Sequence, residues 1–184
     1  MNVEIEYKVL VNKEDFNKLD KIFEHTNGKM YIQENTYFET PSFLLKSNHL
    51  SLRIRHIENR KCYVATLKEK IKDGHNEYEY EVNDNNKNSF PKEILDVLSK
   101  YNINIEEVSE IAKLKTIRKE YQYENGLLCL DHNFYYGKED FEIEFECNDL
   151  EYGKQIVNKL LNELNIVFEK SKKSKIYRAI DNRN

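Results

Sequence analysis

An α+β fold, a closed eight-stranded antiparallel β-barrel with helices packed outside, is what this sequence predicts, and three observations carry the prediction. Eight segments read as strands, seven of them with a polar face set by side-chain parity, and several follow one another with only a turn between. Strands joined in this way pair antiparallel and do not wind a βαβ sheet. The helical segments carry apolar residues on one side, so each can cover a sheet face. Eight antiparallel strands can also close on themselves, which removes exposed edges.

The elements follow in order. In NVEIEYKVL (2–10), Val3, Ile5, Tyr7 and Val9 alternate with Glu4, Glu6 and Lys8, which predicts a strand. Asn12 caps a helix with Glu14 and Asp15 in its first turn and Phe16, Leu19, Ile22 and Phe23 along one face. A strand over Met30–Glu39 ends in TYFETP, and three short strands follow: LSLRIRHI (50–57), KCYVATLKEK (61–70) and NEYEYEV (76–82). Pro91–Tyr101 reads as a helix with Ile94, Leu95, Leu98 and Tyr101 on one side. Three further strands are KLKTIRKEYQY (113–123), GLLCLDHNF (126–134) and FEIEFEC (141–147). An amphipathic helix runs from Leu150 to Leu164, and the basic tail EKSKKSKIYRAI (169–180) reads as a short helix. The two prolines, Pro41 and Pro91, punctuate a loop and a helix start.

At 184 residues the chain is expected to form one domain over 1–184 with a sizeable core. Charged residues are 34% of it, yet 13 Tyr and 9 Phe argue against disorder. A net charge of −4 gives no basic excess for a nucleic-acid partner. No apolar run reaches membrane length, and a strand pattern beginning at Val3 leaves no room for a signal peptide, so no membrane partner and a cytoplasmic location are expected. Cys62, Cys129 and Cys147 are odd in number, lack CxxC spacing and fall within strands, which favours reduced, packed thiols. A homodimer is compatible with the sequence but not specified by it.

Side-chain parity is the informative feature. The polar faces are Glu4, Glu6, Lys8; then Ser51, Arg53, Arg55; then Thr66, Lys68, Lys70; then Glu77, Glu79, Glu81; then Thr116, Arg118, Glu120; and Glu142, Glu144, Glu146, with Asp131 on the face of Leu127 and Cys129. Taken singly, each is an ordinary solvated sheet face. Together the signs are sorted by strand: basic over 50–70, acidic over 76–82 and 141–147. If the barrel closes with its helices outside, these faces point inward and line a charged channel. Unpaired buried charge costs several kcal/mol, so such a lining implies a charged ligand, and a polyphosphate with divalent metals suits carboxylates facing cations.

With ExExK (Glu4, Glu6, Lys8), LRIR (Arg53, Arg55), TLK (Lys68), EYEYEV (Glu79, Glu81), LDH (Asp131) and EIEFE (Glu142, Glu144) in this order, the chain resembles the CYTH superfamily, the triphosphate tunnel metalloenzymes, over nearly its whole length. TYFETP is similar to the family's YFDTP stretch, and the overall pattern is similar to small Gram-positive CYTH proteins. The resemblance implies a triphosphate tunnel and hydrolysis of inorganic, thiamine or nucleoside triphosphate with Mg²⁺ or Mn²⁺; one branch, class IV adenylate cyclase, cyclises ATP. Two departures stand out. Thr116 and Arg118 occupy the face where members often carry Lys-x-Arg, which leaves the missing cation to Lys70 or Lys175, and Glu39 replaces an Asp.

The expected metal ligands are Glu4, Glu6, Asp131, Glu142 and Glu144, with Glu79 and Glu81 next. Arg53, Arg55, Lys68, Lys8 and Arg118 are expected to hold phosphoryl oxygens, with Lys70 and Lys175 as additional substrate contacts. Together, Glu4, Glu6, Lys8, Arg53, Arg55, Lys68 and Arg118 form the expected catalytic set. The five glycines form no P-loop or GxGxxG. His25, His49, His56, His75 and His132 read as surface or packing residues, with His132, beside Asp131, the one to test. Lys172, Lys173, Lys175 and Arg178 read either as a solvated face or as a plug adding cations at a tunnel mouth. Beside the hydrolase stand two alternatives, an adenylate cyclase and a non-catalytic polyphosphate- or nucleotide-binding module.

Overall fold

The computed structural model describes residues 2–171 and 173–183, so Lys172 of the basic tail lies outside the described residues. The strands are β1 (Asn2–Val11), β2 (Lys29–Glu39), β3 (Leu50–Ile57), β4 (Cys62–Ile71), β5 (Gly74–Val82), β6 (Ser109–Tyr123), β7 (Gly126–Tyr135), β8 (Lys138–Cys147) and β9 (Phe168–Lys170). The helices are α1 (Lys13–Phe23), α2 (Leu44–Ser47), α3 (Lys92–Lys100), α4 (Leu150–Glu163) and α5 (Lys175–Asp181). Sheet order runs β5-β4-β3-β2-β6-β7-β8-β1, and a further antiparallel pairing of β1 with β5 closes the ring of eight strands. The barrel predicted from alternation and hairpin adjacency is therefore present.

The tail differs from its expected single helix. Only Asn2, Val3 and Glu4 of β1 pair with β5, which leaves the far half of the same β1 edge open. Residues 168–170 take that edge as a ninth strand opposite Val9, Leu10 and Val11, and the helix begins only at Lys175. An unpaired strand edge is a row of free donors and acceptors, and β9 satisfies it.

The outward faces are apolar and covered in two places. Tyr7, Val9, Leu128, Leu130, Phe141, Ile143 and Phe145 pack beneath α1 and α4, meeting Phe16, Leu19, Val157, Leu160 and Leu161. Leu50, Leu52, Ile54, Ala65 and Leu67 pack beneath α3 through Ile94, Val97 and Leu98. Side-chain caps start two of these helices: Asn12 accepts from the Asp15 amide at 2.9 Å, and Asp149 from the Tyr152 amide at 2.7 Å. With both apolar faces outside, strand alternation turns the polar set inward. A third cluster lies at one end, where Ile176 and Ala179 of α5 rest on Tyr37, Ala112, Leu114 and Tyr135.

The closing seam depends on Gly74. A Cβ there would come within 2.3 Å of the Glu4 carbonyl oxygen, so the β1–β5 approach leaves no room for a side chain. Gly74→Ala is expected to cost about 1–3 kcal/mol or more through strain, read as a lower midpoint in urea unfolding; an unchanged midpoint would show that the seam adapts.

Candidate active site

The barrel encloses a cavity of about 820 Å³ lined by Glu4, Glu6 and Lys8 of β1, Arg53 and Arg55 of β3, Lys68 and Lys70 of β4 and Glu79 of β5, with Arg118, Glu144 and Lys175 across from them. Of the other expected site residues, Asp131 and Glu142 are buried in the adjoining wall, where Asp131 stands opposite both Arg118 and Glu142 in the strand register. Glu81 is exposed and does not line the cavity, so the expected ligand role does not fall to it. Glu77, on the same face of β5, also lines the cavity and was missing from the expected ligands: its carboxylate lies 3.3 Å from Lys68 Nζ and 3.8 Å from Arg53. Glu79 is half exposed, accepting from Thr66 Oγ1 at 3.1 Å.

The carboxylates fall into two sets, each with donor atoms within 4.8 Å of one another. The first is Glu4, Glu6 and His75; the second is Asp131, Glu142 and Glu144. The second is already balanced by cations of the chain. Arg118 forks onto Asp131 through Nε at 2.8 Å and Nη2 at 2.7 Å and also bonds Glu144. Lys175 reaches in from α5 to Asp131, to Glu142 at 3.1 Å and to Glu144 at 2.6 Å, while Arg178, one turn on, bonds Glu142 and Asp140. Burial alone would raise Glu144, yet Lys175, Lys8 and Arg118 outweigh it and hold the carboxyl well below its ordinary range. Asp131 is likewise held low by Arg118 and Lys175 against its burial.

The first set is less completely matched. Lys68 bonds Glu4, and Lys8 Nζ pairs with Glu6 Oε1 at 2.6 Å, one lysine to each carboxylate. His75 Nδ1 is buried without a hydrogen-bond partner. Hard carboxylate oxygens with unfilled lone pairs suit a divalent cation, so the donor set fits the metal that the tunnel chemistry implies. Nearby, burial pushes Glu146 up to about 7 against the opposing pull of Arg118, with Glu144, Glu4 and Glu6 adding to the rise.

The arginines of β3 stand apart. Arg55 donates from Nε to Asn35 Oδ1 at 2.9 Å and, among the described residues, has no carboxylate within ion-pair distance. Burial and then the charges of Arg53 and Arg118 pull it down to about 10. Arg53 has only the distant carboxylates Glu77 and Glu79, at 3.8 and 3.9 Å, and its Nε is buried without a partner. Both are charges in want of an anion.

Both departures from the family pattern have a structural reading. Thr116 is buried and its hydroxyl donates to Asn133 Oδ1 at 2.7 Å, while Lys175 supplies a cation to the carboxylates nearby. Lys70 also lines the cavity. Glu39 is buried and accepts from the amides of Thr40, Leu45 and Lys46 at 2.8, 3.0 and 3.0 Å, so it fixes the β2–α2 corner. His132 faces outward, stacked on Phe141 at 4.4 Å and paired with Glu139 at 2.7 Å, away from the lumen. His75, read as a packing residue, instead lines the cavity; its parity with Glu77 was the signal that pointed there. A separate depression of about 770 Å³ lies against the outer wall near Glu34, His56, Tyr63 and Lys115.

The CYTH domain profile matches residues 2–180. The chain belongs to the CYTH family. Among CYTH relatives, it is 38% identical over 181 residues to a candidate triphosphatase, YjbK, of Bacillus subtilis, covering 96% of this chain and 93% of that protein. It also matches the crystal structure of a candidate adenylate cyclase from Bacillus halodurans, with a TM-score of 0.86 and 35% identity over 96% of this chain and 97% of that one. A Hippeastrum protein, HpAC1, described as a candidate adenylyl cyclase with a dominant triphosphatase activity, shares the fold at a TM-score of 0.79 and 21% identity, over 100% of this chain and 97% of that one. No helix among the described residues is long and apolar enough to cross a membrane.

Proposed function

We propose that this CYTH protein is a divalent-metal-dependent hydrolase of inorganic triphosphate or a related organic triphosphate, with Mg²⁺ or Mn²⁺ as cofactor. The observation that carries the reading is the pair Arg53 and Arg55: two half-buried guanidiniums on one strand, Arg55 without a carboxylate partner among the described residues and Arg53 with only distant ones, sharing the lumen with the carboxylates Glu4 and Glu6. A chain of anionic phosphoryl groups bridging metal-held carboxylates and arginines satisfies both. The 38% identity to a candidate triphosphatase supports the same reading.

The residues divide the work by type. Arg53 and Arg55 present planar forks that match two phosphoryl oxygens at once, and Lys68, Lys8 and Arg118 add further positive charge. Glu4 and Glu6 would hold the metal, and Asp131, Glu142 and Glu144 form the second acidic group that could serve. When bound, the metal supplies Lewis-acid stabilisation of charge on the phosphoryl oxygens. Hydrolysis then needs little covalent help, since phosphoryl transfer is mainly positioning and charge stabilisation. Water adds to the terminal phosphorus, the bond from that phosphorus to the bridging oxygen breaks, and phosphate and diphosphate leave. The lumen walls partly shield these cations from water, Arg118 most fully, which strengthens their charges.

A cyclase reading has one specific observation behind it, the 35% identity to a candidate adenylate cyclase. Both are tested by following tripolyphosphate, thiamine triphosphate and ATP with Mg²⁺ and with Mn²⁺ from neutral to alkaline pH. Phosphate release from at least one is the expected result. Cyclic AMP and diphosphate from ATP would establish the cyclase, and metal-dependent binding with no turnover of any of the three would leave a binding module.

A further inference from the structure

The set Glu4, Glu6 and His75 has a nitrogen donor that carboxylate motifs alone do not supply. Its assembly is a consequence of barrel closure. The β1–β5 register places His75 opposite Glu4, and inward parity on β5 sends the imidazole into the lumen with Glu77 and Glu79. One donor atom from each of the three residues lies within 4.8 Å of the others. Ligands bound about 2.1 Å from one ion are separated by roughly 3–4 Å, so the set is near ligation spacing before any ion arrives. His75 Nδ1 is buried with no hydrogen-bond partner, and Oε1 of Glu6, whose side chain is only 5% exposed, has Lys8 Nζ at 2.6 Å as its cation until a metal takes that place. An imidazole nitrogen left bare inside a protein is costly unless a donor or an electrophile meets it. Lys70 lies opposite His75 on β4, and Lys68 also lines the lumen, bonded to Glu4.

We infer that His75 is a third ligand of the metal held by Glu4 and Glu6, and that its imidazole tilts this position toward transition divalent ions such as Mn²⁺ and away from Mg²⁺. The inference rests on the reading of the lumen as a metal-dependent triphosphate site and adds to it a selectivity device. Mg²⁺ prefers an all-oxygen shell and dehydrates reluctantly, whereas an imidazole suits Fe, Ni, Cu and Zn well and Mn²⁺, the weakest binder of the first-row series, less strongly. A Glu₂His set discriminates between them by ligand chemistry.

The test uses the full-length chain, freed of metal and without substrate. Mn²⁺ is added and nitrogen hyperfine coupling to its spin is read by pulsed electron paramagnetic resonance, alongside calorimetric titrations with Mn²⁺ and with Mg²⁺. The wild type should show imidazole nitrogen coupling. In His75→Ala that coupling should vanish and Mn²⁺ affinity fall by about tenfold or more, with Mg²⁺ affinity changed by less than about twofold. His75→Gln, which keeps a polar side chain, should likewise lose the coupling while melting like the wild type, which separates loss of a ligand from loss of the fold. Absent coupling in the wild type, coupling that persists in His75→Ala, or an equal loss for both metals would overturn the assignment. Nitrogen-coupled Mn²⁺ in a chain that hydrolyses no triphosphate would remove the proposed activity and leave the ligand in place. Turnover with nitrogen-free Mn²⁺ would do the reverse.

Discussion

Arg53→Ala is expected to lower kcat/KM for triphosphate by about 10²–10³-fold while leaving the melting temperature within a few degrees of wild type. The asymmetry follows from what Arg53 touches. Its nearest carboxylates are 3.8 and 3.9 Å away, too far for good hydrogen bonds, and Nε has no partner. Removing the guanidinium therefore abandons little in the free protein. Deleting a cation beside Arg55 even relieves a repulsion, since the Arg53 charge helps pull Arg55 down. In the complex the same group would face phosphoryl oxygens, where a charge-assisted, bidentate contact is strong. Arg53→Lys should recover only part of the loss, because a point charge replaces a planar fork. Steady-state kinetics with tripolyphosphate beside a thermal melt of each variant checks this. Full activity in Arg53→Ala would mean that the phosphoryl chain does not lie against β3.

Arg118→Ala should behave in the opposite way, costing about 3–5 kcal/mol of folding stability even with no ligand present. Arg118 is buried, forks onto Asp131 and bonds Glu144, both of them buried too. Its removal leaves Lys175 as the one remaining close cation for Asp131 among the described residues, and Lys175 with Lys8 for Glu144. Acid titration provides a second readout. Asp131 and Glu144 are held below their ordinary range in the folded chain, so they bind fewer protons there than when unfolded. Their contribution is present above the unfolded carboxylate value and is lost as pH falls below about 4.5 toward the lower folded value. In Arg118→Ala, Asp131 loses its main cationic neighbour and Glu144 one of three, so the wild-type advantage should shrink as pH falls. Urea unfolding of both proteins at pH 7 and pH 3.5 measures it. A constant difference between the two pH values would show that Arg118 stabilises by packing and not by charge.

The two arginines illustrate how far the sequence could be read. Parity on LSLRIRHI and KLKTIRKEYQY places Arg53 and Arg118 on the polar face of their strands, and hairpin adjacency with outward apolar faces makes that face a lumen. Nothing in the spacing separates an arginine that has no close carboxylate from one locked by Asp131 and Glu144. That difference comes from the partner strands' register, with Arg118 opposite Asp131 and Arg53 opposite Tyr37 and Thr66.

The C-terminal segment was the least legible part. Its basic character allowed either a solvated face or a plug, and only the packing of Ile176 and Ala179 on Tyr37, Leu114 and Tyr135 turns Lys175 inward. Glu39 was equally silent in sequence, because its partners are backbone amides, which carry no residue-type signal.

What the sequence determined by itself was local: the strands and helices, which side chains share a face, and hence the barrel class and the charged lining. A period of two and one-sided helices are properties of neighbouring residues, legible without coordinates. What only the tertiary structure decided was which charges meet. The β1–β5 closure brings His75 to Glu4 across 71 positions of chain, and α5 delivers Lys175 to Glu144. Such pairings depend on strand register and on the site where a distant helix docks, and both are settled by the closed sheet as a whole.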